Sequence, residues 1–449
     1  MSDRLKDETP PATLDRRNFF HQATLATSSV AAVAALAPSL AQAADEPLVM
    51  GAIGCGGQGT GLIQSFASQD DIRLAFVCDP DQARANQAAD KVASAGKPRP
   101  QVVSDLRRVL SDPSVAAVTV ATPDHWHGPA TLLALAAGKH VYVEKPCAHN
   151  IREGRLMVEA ARKHDRVVQV GTQSRSTEHV RRAMELLREG AIGDVVVAKA
   201  WNSQLRGNIG HAQPGDPPAD FDYDLWVGPA PMVPFQSNRQ HYNWHWWYDF
   251  GTGDMGNDGV HDIDIARWGL GVEQHPTTVA AAGGKYVFDD DQQFPDTQYV
   301  VFEYPVADSP TRRKQLVYEH RIWSPYVQEG YENGNAFYGT KGCLILGKSA
   351  GWKLFGPKNE LRDSMQATKI GLPHHRNFID SIRSHQRPHA DIEIGHLSAA
   401  LCHLGNLACR FGRRLNFDPA TEQIVGDPEV AACIRRQYRD GHWAVPQNV

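Results

Sequence analysis

Leu48-Val49-Met50-Gly51-Ala52-Ile53-Gly54-Cys55-Gly56-Gly57-Gln58-Gly59 is the stretch on which the fold of this chain turns. Its first six residues are apolar or small, as a strand buried on both faces requires. They run into a Gly-x-Gly-x-x-Gly string, and residues 61–68 read as a helix. A glycine string alone says little, but between a strand and a helix each glycine has a task. Gly54 makes the tight turn, Gly56 lets backbone approach a pyrophosphate, and Gly59 allows the helix to pack closely on the strand. Cys55, Gly57 and Gln58 complete a loop whose N–H groups, with the helix N-terminus, face the phosphates. A second strand, 73–78, ends at Asp79, 20 residues past Gly59. An acidic side chain there holds the adenosine ribose hydroxyls, which predicts NAD in preference to NADP.

The alternation continues. Helices are expected over 85–93 and 105–110, and a strand over 115–120. Ala121-Thr122-Pro123-Asp124-His125-Trp126-His127 reads as a loop before a helix at 130–137, stopped by Gly138. Strand 141–143 leads into Glu144-Lys145-Pro146, and helix 151–163 precedes strand 167–170. Strands alternating with helices specify a doubly wound parallel sheet, a Rossmann domain over 44–172. Ligands lie at the carboxyl ends of such strands, so Thr122, Pro123, His127, Glu144 and Lys145 share one cleft. Gln173 is assigned to the cofactor and Arg175 to the substrate. After a helix at 178–189, β-type runs dominate (195–200, 278–282, 298–304, 315–320, 343–346), with helices near 376–384 and 396–411. Residues 173–449 therefore read as a second, α+β domain on a large sheet.

That second region holds an uneven share of aromatic residues. Trp201, Trp226, Trp244, Trp246, Trp247 and Trp268 are six of the ten tryptophans. Three of them lie in Tyr242-Asn243-Trp244-His245-Trp246-Trp247-Tyr248-Asp249. Rings beside His, Asn and Asp suit a sugar, because rings cover its C–H faces and polar groups take its hydroxyls. Trp268 is assigned to the core, and at least one of Trp244, Trp246 and Trp247 to the cleft. Tyr242, Trp244, His245, Asn257 and His261 are the expected substrate contacts. His261 opens a helix, and Asn257, four residues earlier, shares its face if the helix begins there. An imidazole suits proton exchange near neutral pH. His125-x-His127 and Cys147-x-His149 are explained by loop roles, so no metal is expected. No Gly-x-Ser-x-Gly hydrolase signal is present.

The glycine string with Asp79, the Ala121–His127 segment and Glu144-Lys145-Pro146 together resemble the Gfo/Idh/MocA oxidoreductase family, from Leu48 to the C-terminus. The resemblance implies an NAD(P)-dependent enzyme acting on CH–OH groups, with Lys145 close to the nicotinamide and the reacting hydroxyl. It implies a mostly antiparallel open sheet in the second domain, often a subunit interface, and hence a homo-oligomer. Many members carry Asp four residues before the position of His261. Here Asn257 stands there and cannot act as a base, so Asp258 either substitutes or orients His261. Lys145, His261 and Asp258 are thus the expected catalytic residues. One branch of the superfamily hydrolyses glycosides through transient oxidation. It carries Tyr-Pro-Thr-His where this chain has Gly259-Val260-His261. A non-catalytic sugar-binding protein on the same fold is the other alternative.

The 449 residues, 42% hydrophobic and 22% charged, fit a globular protein with a large core. A net charge of −5 supplies no basic field for nucleic acid. Seven scattered cysteines without a Cys-x-x-Cys pair do not make a disulfide scaffold or a structural zinc site. Residues 1–43 read as a leader: Arg16-Arg17-Asn18-Phe19-Phe20, an apolar stretch, then Ala41-Gln42-Ala43. The paired arginines look like a twin-arginine signal, which predicts passage through that export machinery and a periplasmic location. No later segment is apolar enough to span a membrane. Export in the folded state would carry tightly held NAD along, into a space without a free NAD pool. The expectation is therefore oxidation of a ring hydroxyl of a sugar or glycoside, at C3, with the cofactor recycled in place.

Overall fold

The computed structural model describes residues 46–306, 309–324 and 326–448. The expected leader, 1–43, lies outside them. The first sheet is built from β1 (Leu48–Ile53), β2 (Ile72–Cys78), β3 (Gln101–Val103), β4 (Ala117–Val120), β5 (His140–Val143) and β6 (Val168–Val170). All its pairings are parallel and its order is β3-β2-β1-β4-β5-β6. Between the strands run α1 (Gly57–Ala67), α2 (Gln82–Ser94), α3 (Leu106–Leu110), α4 (Asp124–Ala136) and α5 (Ile151–Lys163). The order reverses between β1 and β4, and that switch point opens the crevice in which ligands bind.

Helix α4 begins six residues earlier than its sequence suggests, so His125 and His127 sit on a helix and not in a loop. Pro129 lies inside it and cannot donate to the carbonyl of His125. Arg436, 311 residues away, supplies the missing donor at 2.7 Å. Long-range compensation of this kind leaves no local trace.

The second sheet has ten strands: β7 (Val195–Asn202), β8 (Thr278–Gly284), β9 (Thr297–Val306), β10 (Ser309–Arg321), β11 (Asn333–Gly339), β12 (Cys343–Gly347), β13 (Gly351–Phe355), β14 (Leu361–Met365), β15 (Leu415–Asp418) and β16 (Gln423–Val425). Their order is β14-β13-β12-β11-β7-β10-β9-β8-β15-β16, antiparallel except for β7 with β10. One face packs under α6 (Glu178–Arg188), α7 (Val260–Leu270) and a long helix, Ile392–Phe411. Period-two alternation buries Val300, Phe302 and Tyr304 of β9 and Leu316 and Tyr318 of β10 against them. The opposite face is open: Tyr299 and Tyr338 are each 42% exposed. The cut between the two halves is not clean. Phe378, Ile379 and Ile382 of helix Leu372–Ser384 join the core of the first sheet, beside Phe66 and Tyr142. No helix among the described residues is long and apolar enough to cross a membrane.

Residues 203–250 form a long excursion from β7 with its own aromatic core. Phe221, Trp226, Phe235, Trp246, Trp247 and Phe250 pack together there. This cluster accounts for most of the local tryptophan excess.

Candidate functional site

A cavity of about 700 Å³ runs from the glycine turn to the aromatic excursion. At its first end Gly54 has φ +96°, and a Cβ there would lie 2.3 Å from the carbonyl oxygen of Ala121. A Cβ on Gly59 would lie 2.1 Å from the carbonyl oxygen of Gly54. Both positions are therefore sterically reserved for glycine. A Cβ on Gly57 would meet nothing within 4 Å, which leaves open space over the start of α1. No side chain caps that helix, so its first N–H groups remain available to an anion. Asp79 is buried beneath. Its Oδ2 accepts from Cys55 N at 2.7 Å and its Oδ1 from Asp81 N at 2.9 Å. Burial raises its pKa against the pull of those two donors. Thr122 lines the same space with a buried hydroxyl that has no partner among the described residues. Open space beside Gly57 at an uncapped helix N-terminus, an acid at the β2 end and a hydroxyl without a partner among the described residues fit a dinucleotide.

The Glu144-Lys145-Pro146 turn follows β5. Glu144 is buried and accepts from Gln58 Nε2 at 2.8 Å, and burial raises its pKa. His127 lies between two carbonyls, Nδ1 at 2.6 Å from Pro146 O and Nε2 at 2.9 Å from Thr122 O. Burial lowers its pKa to about 4, so at neutral pH it can donate to only one of them. It ties the β4 and β5 turns together as well as lining the cavity. Lys145 Nζ crosses to the second half of the chain and donates to Asn257 O at 2.6 Å, with Asn257 Oδ1 at 3.4 Å.

Asn257 in turn donates to Tyr242 Oη at 3.0 Å and to Asp254 Oδ1 at 3.2 Å. Tyr242, Trp244, His245, Asn257 and Asp258 all line the cavity. Trp244 stacks on His245 with ring centroids 3.6 Å apart. His245 is buried against the Tyr242 carbonyl, and burial holds its pKa well below the ordinary value. Of the three clustered tryptophans Trp244 reaches the cleft, while Trp246 and Trp247 are core. Trp268 packs against the main core, as expected.

Four expected site residues stand elsewhere. Cys55 contributes its backbone N–H to Asp79, and its side chain is buried behind the turn. Gln173 donates to Tyr142 Oη and does not line the cavity. Arg175 is turned inward to a buried two-pronged pair with Asp264, at 2.8 and 2.9 Å, with its guanidinium over Trp268. Held there, it does not line the cavity. His261 lies beside the cavity but is not on its lining. Residues Met255–Gly259 form a π-turn, wider than an α-turn, so Asn257 and His261 do not share a face as i, i+4 spacing predicts. Burial and the positive charges of Lys348 and Lys145 lower the His261 pKa to about 3, so it is neutral at pH 7.

Asp258 does line the cavity, but not as a proton-exchanging group. Burial pushes its pKa up, yet Lys348 Nζ at 3.0 Å and His261 pull it well below the usual carboxylate range. Asn333 Nδ2 donates to its other oxygen at 2.7 Å. Lys348 also meets Asp262 at 3.1 Å. Lys348 belongs to no motif and sits just past the end of β12, so nothing in the sequence marks it. Arg206 was equally hidden. It lines the cavity and pairs with buried Asp254 at 2.8 Å.

His275, His396 and Glu422 form the one group among the described residues with metal-ligand spacing. Both imidazoles lie 2.8 Å from Glu422 Oε1. Arg155 donates to that same oxygen at 2.6 Å, so a cation already compensates the carboxylate.

Comparison with known proteins agrees with this geometry. A profile described as "Oxidoreductase family, NAD-binding Rossmann fold" matches residues 48–172. Its companion, "Oxidoreductase family, C-terminal alpha/beta domain", matches 193–302 and 351–445. An inositol 2-dehydrogenase 2 from Saccharopolyspora erythraea is 30% identical over 256 residues, 57% of this chain and 62% of that protein. A glycosyl hydrolase family 109 protein from Shewanella baltica is 26% identical over 208 residues, 42% of this chain and 45% of that protein. The chain thus spans about half the length of these curated relatives. The aldose-aldose oxidoreductase of Caulobacter crescentus, solved with glycerol, superposes with a TM-score of 0.64 at 19% identity. It covers 83% of this chain and 100% of that one, and at this identity the likeness is one of fold. With both halves of the family matched in order along it, the chain belongs to the Gfo/Idh/MocA oxidoreductase family.

Proposed function

We propose that this chain is an exported NAD-dependent oxidoreductase acting on a ring hydroxyl of a sugar or glycoside, with C3 the favoured carbon. The observation that carries the reading is the Lys145–Asn257 contact. It stands where a dinucleotide cleft and an aromatic, hydroxyl-binding cleft run together as one cavity. NAD would rest on the glycine turn, with Asp79 at its adenosine ribose, and supplies a hydride acceptor. The chain's own residues do the rest. An incoming hydroxyl displaces Asn257 O from Lys145 Nζ, whose ammonium then donates to the hydroxyl oxygen and stabilises the negative charge that develops there, while the hydroxyl proton passes to the neutral imidazole of His261. Trp244 covers a C–H face of the ring, while Tyr242 and Asn257 hold neighbouring hydroxyls. Asp258, kept ionised by Lys348, accepts a hydrogen bond and orients the ring. Neutral His261 adds no further positive charge beside the two lysines and is the proposed second partner of the reacting hydroxyl.

Several features support recycling in place. The twin-arginine leader sends the folded protein to a space without free NAD. A ketone next to a ring C–H acidifies it, as elimination of a glycosidic bond requires. One fold neighbour is named for exchange between aldoses. The hydrolase names among the relatives favour a second reading, glycoside cleavage through transient oxidation. The missing Tyr-Pro-Thr-His segment at Gly259-Val260-His261 places it second. The open sheet face is the proposed interface between copies.

Mass spectrometry of the purified full chain should detect co-released NAD, and a panel of sugars and glycosides should include one that reduces it. A chain that neither retains nor binds NAD would sink the reading. Changing Arg16 and Arg17 to Lys should leave uncut protein in the cytoplasm, and normal export of that variant would refute the leader assignment.

A further inference from the structure

The last stretch of chain, 435–448, has only bends and turns, yet it is fastened at several points. Arg436 donates to His125 O at 2.7 Å and to buried Glu153 at 2.8 Å. Tyr438 donates to the same Glu153 oxygen at 2.7 Å. Arg439 binds Pro229 O through its backbone N–H and Asp224 through its guanidinium, at 2.9 and 2.7 Å. Arg152 holds Asn448 O at 2.9 Å. The strap is thus tied both to α4 and α5 of the first sheet and to the excursion that carries the aromatic cluster. Between these anchors sits Trp443. Its ring lies 5.8 Å from Trp126, with the Arg107 guanidinium 4.3 Å above it. Among the described residues it is the only one after Asp258 that lines the dinucleotide cavity, which it shares with Asp79, Ser104 and Leu106.

We propose that Trp443, carried on this C-terminal strap, closes the adenosine end of the cavity over the bound dinucleotide and slows its release. The proposal rests on the NAD reading and adds a retention device to it. An indole face stacks on a base without regard to its substituents. A guanidinium on the indole's other face holds the ring in place. The anchors on two separate parts of the fold mean that the dinucleotide leaves only after the strap shifts. An enzyme that recycles its cofactor without an outside supply needs that property.

The test is the dissociation rate of NADH from the full chain, read as loss of tryptophan-sensitised NADH fluorescence after mixing with excess ADP-ribose. Trp443→Ala should release NADH about tenfold faster or more, the usual share of one base–aromatic stack. Trp443→Phe should recover most of the retention. Arg439→Ala, which keeps the indole and loosens the strap, should also speed release. Release from Trp443→Ala at the wild-type rate would overturn the proposal. Should that variant fail to fold, unchanged release from Arg439→Ala overturns it in the same way. Wild-type chain that binds no NADH at all would instead overturn the cofactor reading beneath it.

Discussion

On the dinucleotide wall of the cavity, Asp124 and Glu144 are buried without an ion pair among the described residues, and burial raises both pKa values, that of Asp124 to about 7. His127 on the same wall and His125 behind it are neutral, with pKa values lowered to about 4 and 3. In and behind the opposite wall the acids are paired: Asp254 with Arg206, Asp258 and Asp262 with Lys348, Asp264 with Arg175, although burial still raises the pKa of Asp262 to about 7. The contrast shows how one site serves two ligands. The wall that faces a charged dinucleotide presents backbone N–H groups and two buried acids without a paired cation among the described residues, its own ion pairs, Arg84 with Asp81 and Arg107 with Asp105, lying towards the Asp79 end. The wall that faces a neutral polyol presents Arg206 and Asp258, each compensated by its partner and so pinned in direction. Lys145 stands on the seam, its Nζ donating to Asn257 O and Oδ1 and, among the described residues, to no carboxylate.

The largest break in this contrast is expected from Lys348→Met. It leaves Asp258 and Asp262 buried beside each other without their cation, at a cost of about 3 kcal/mol or more. Denaturant unfolding at pH 7 would show it, and a midpoint equal to wild type would mean that the pair carries no stability. Lowering the pH should restore part of the loss by protonating the two acids.

Asp124→Asn sharpens the other side. A carboxyl with a raised folded-state pKa binds its proton more tightly when folded. Its contribution is therefore fully present below about pH 4 and is lost as pH rises towards 7. Between pH 5 and 7 the wild type should lose about 2 kcal/mol through this group, and the Asn variant should not. Parallel stability profiles for the two proteins would contradict the assignment. The smallest effect belongs to Trp244→Ala. Stacking mostly stabilises ground and transition states alike, so the variant should need more substrate while keeping its turnover. A selective fall in turnover would move Trp244 from binding into the chemistry.

How far the sequence could be read follows the same division. Gly54 is marked by its own positive φ and Gly59 by a close approach to Gly54 O within the same strand-turn-helix unit, so β1, α1 and Asp79 are legible in order and spacing. The start of α4 was not, because the loss at Pro129 is made good by Arg436 from the far end of the chain. Strands β11, β13, β14, β15 and β16 are not legible as strands in the sequence. β14 is almost wholly exposed and β11 carries Gly334, Asn335 and Gly339, so neither shows a clean alternation. On the charged wall the residue types Asp and His were visible, but their partners Lys348 and Arg206 come from isolated positions that only the folded sheet brings near. The π-turn at Met255–Gly259 then shifted the expected pairing of Asn257 with His261. Arg175, read as a substrate contact, proved to be the cation of a buried pair for the same reason: its partner Asp264 is 89 residues away.

The central claim is that the reacting hydroxyl meets the chain at Lys145, on the seam between the two walls. The most direct measurement is single-turnover reduction of enzyme-bound NAD by a responsive sugar, compared between wild type, Lys145→Ala and His261→Ala. Lys145→Ala should retain bound NAD and slow its reduction by about 10²-fold or more, the usual share of positioned acid–base help. His261→Ala should slow it too, by a smaller factor, since the imidazole stands beside the cavity and not on its lining. Reduction of bound NAD at the wild-type rate in Lys145→Ala would place the chemistry elsewhere and contradict the account.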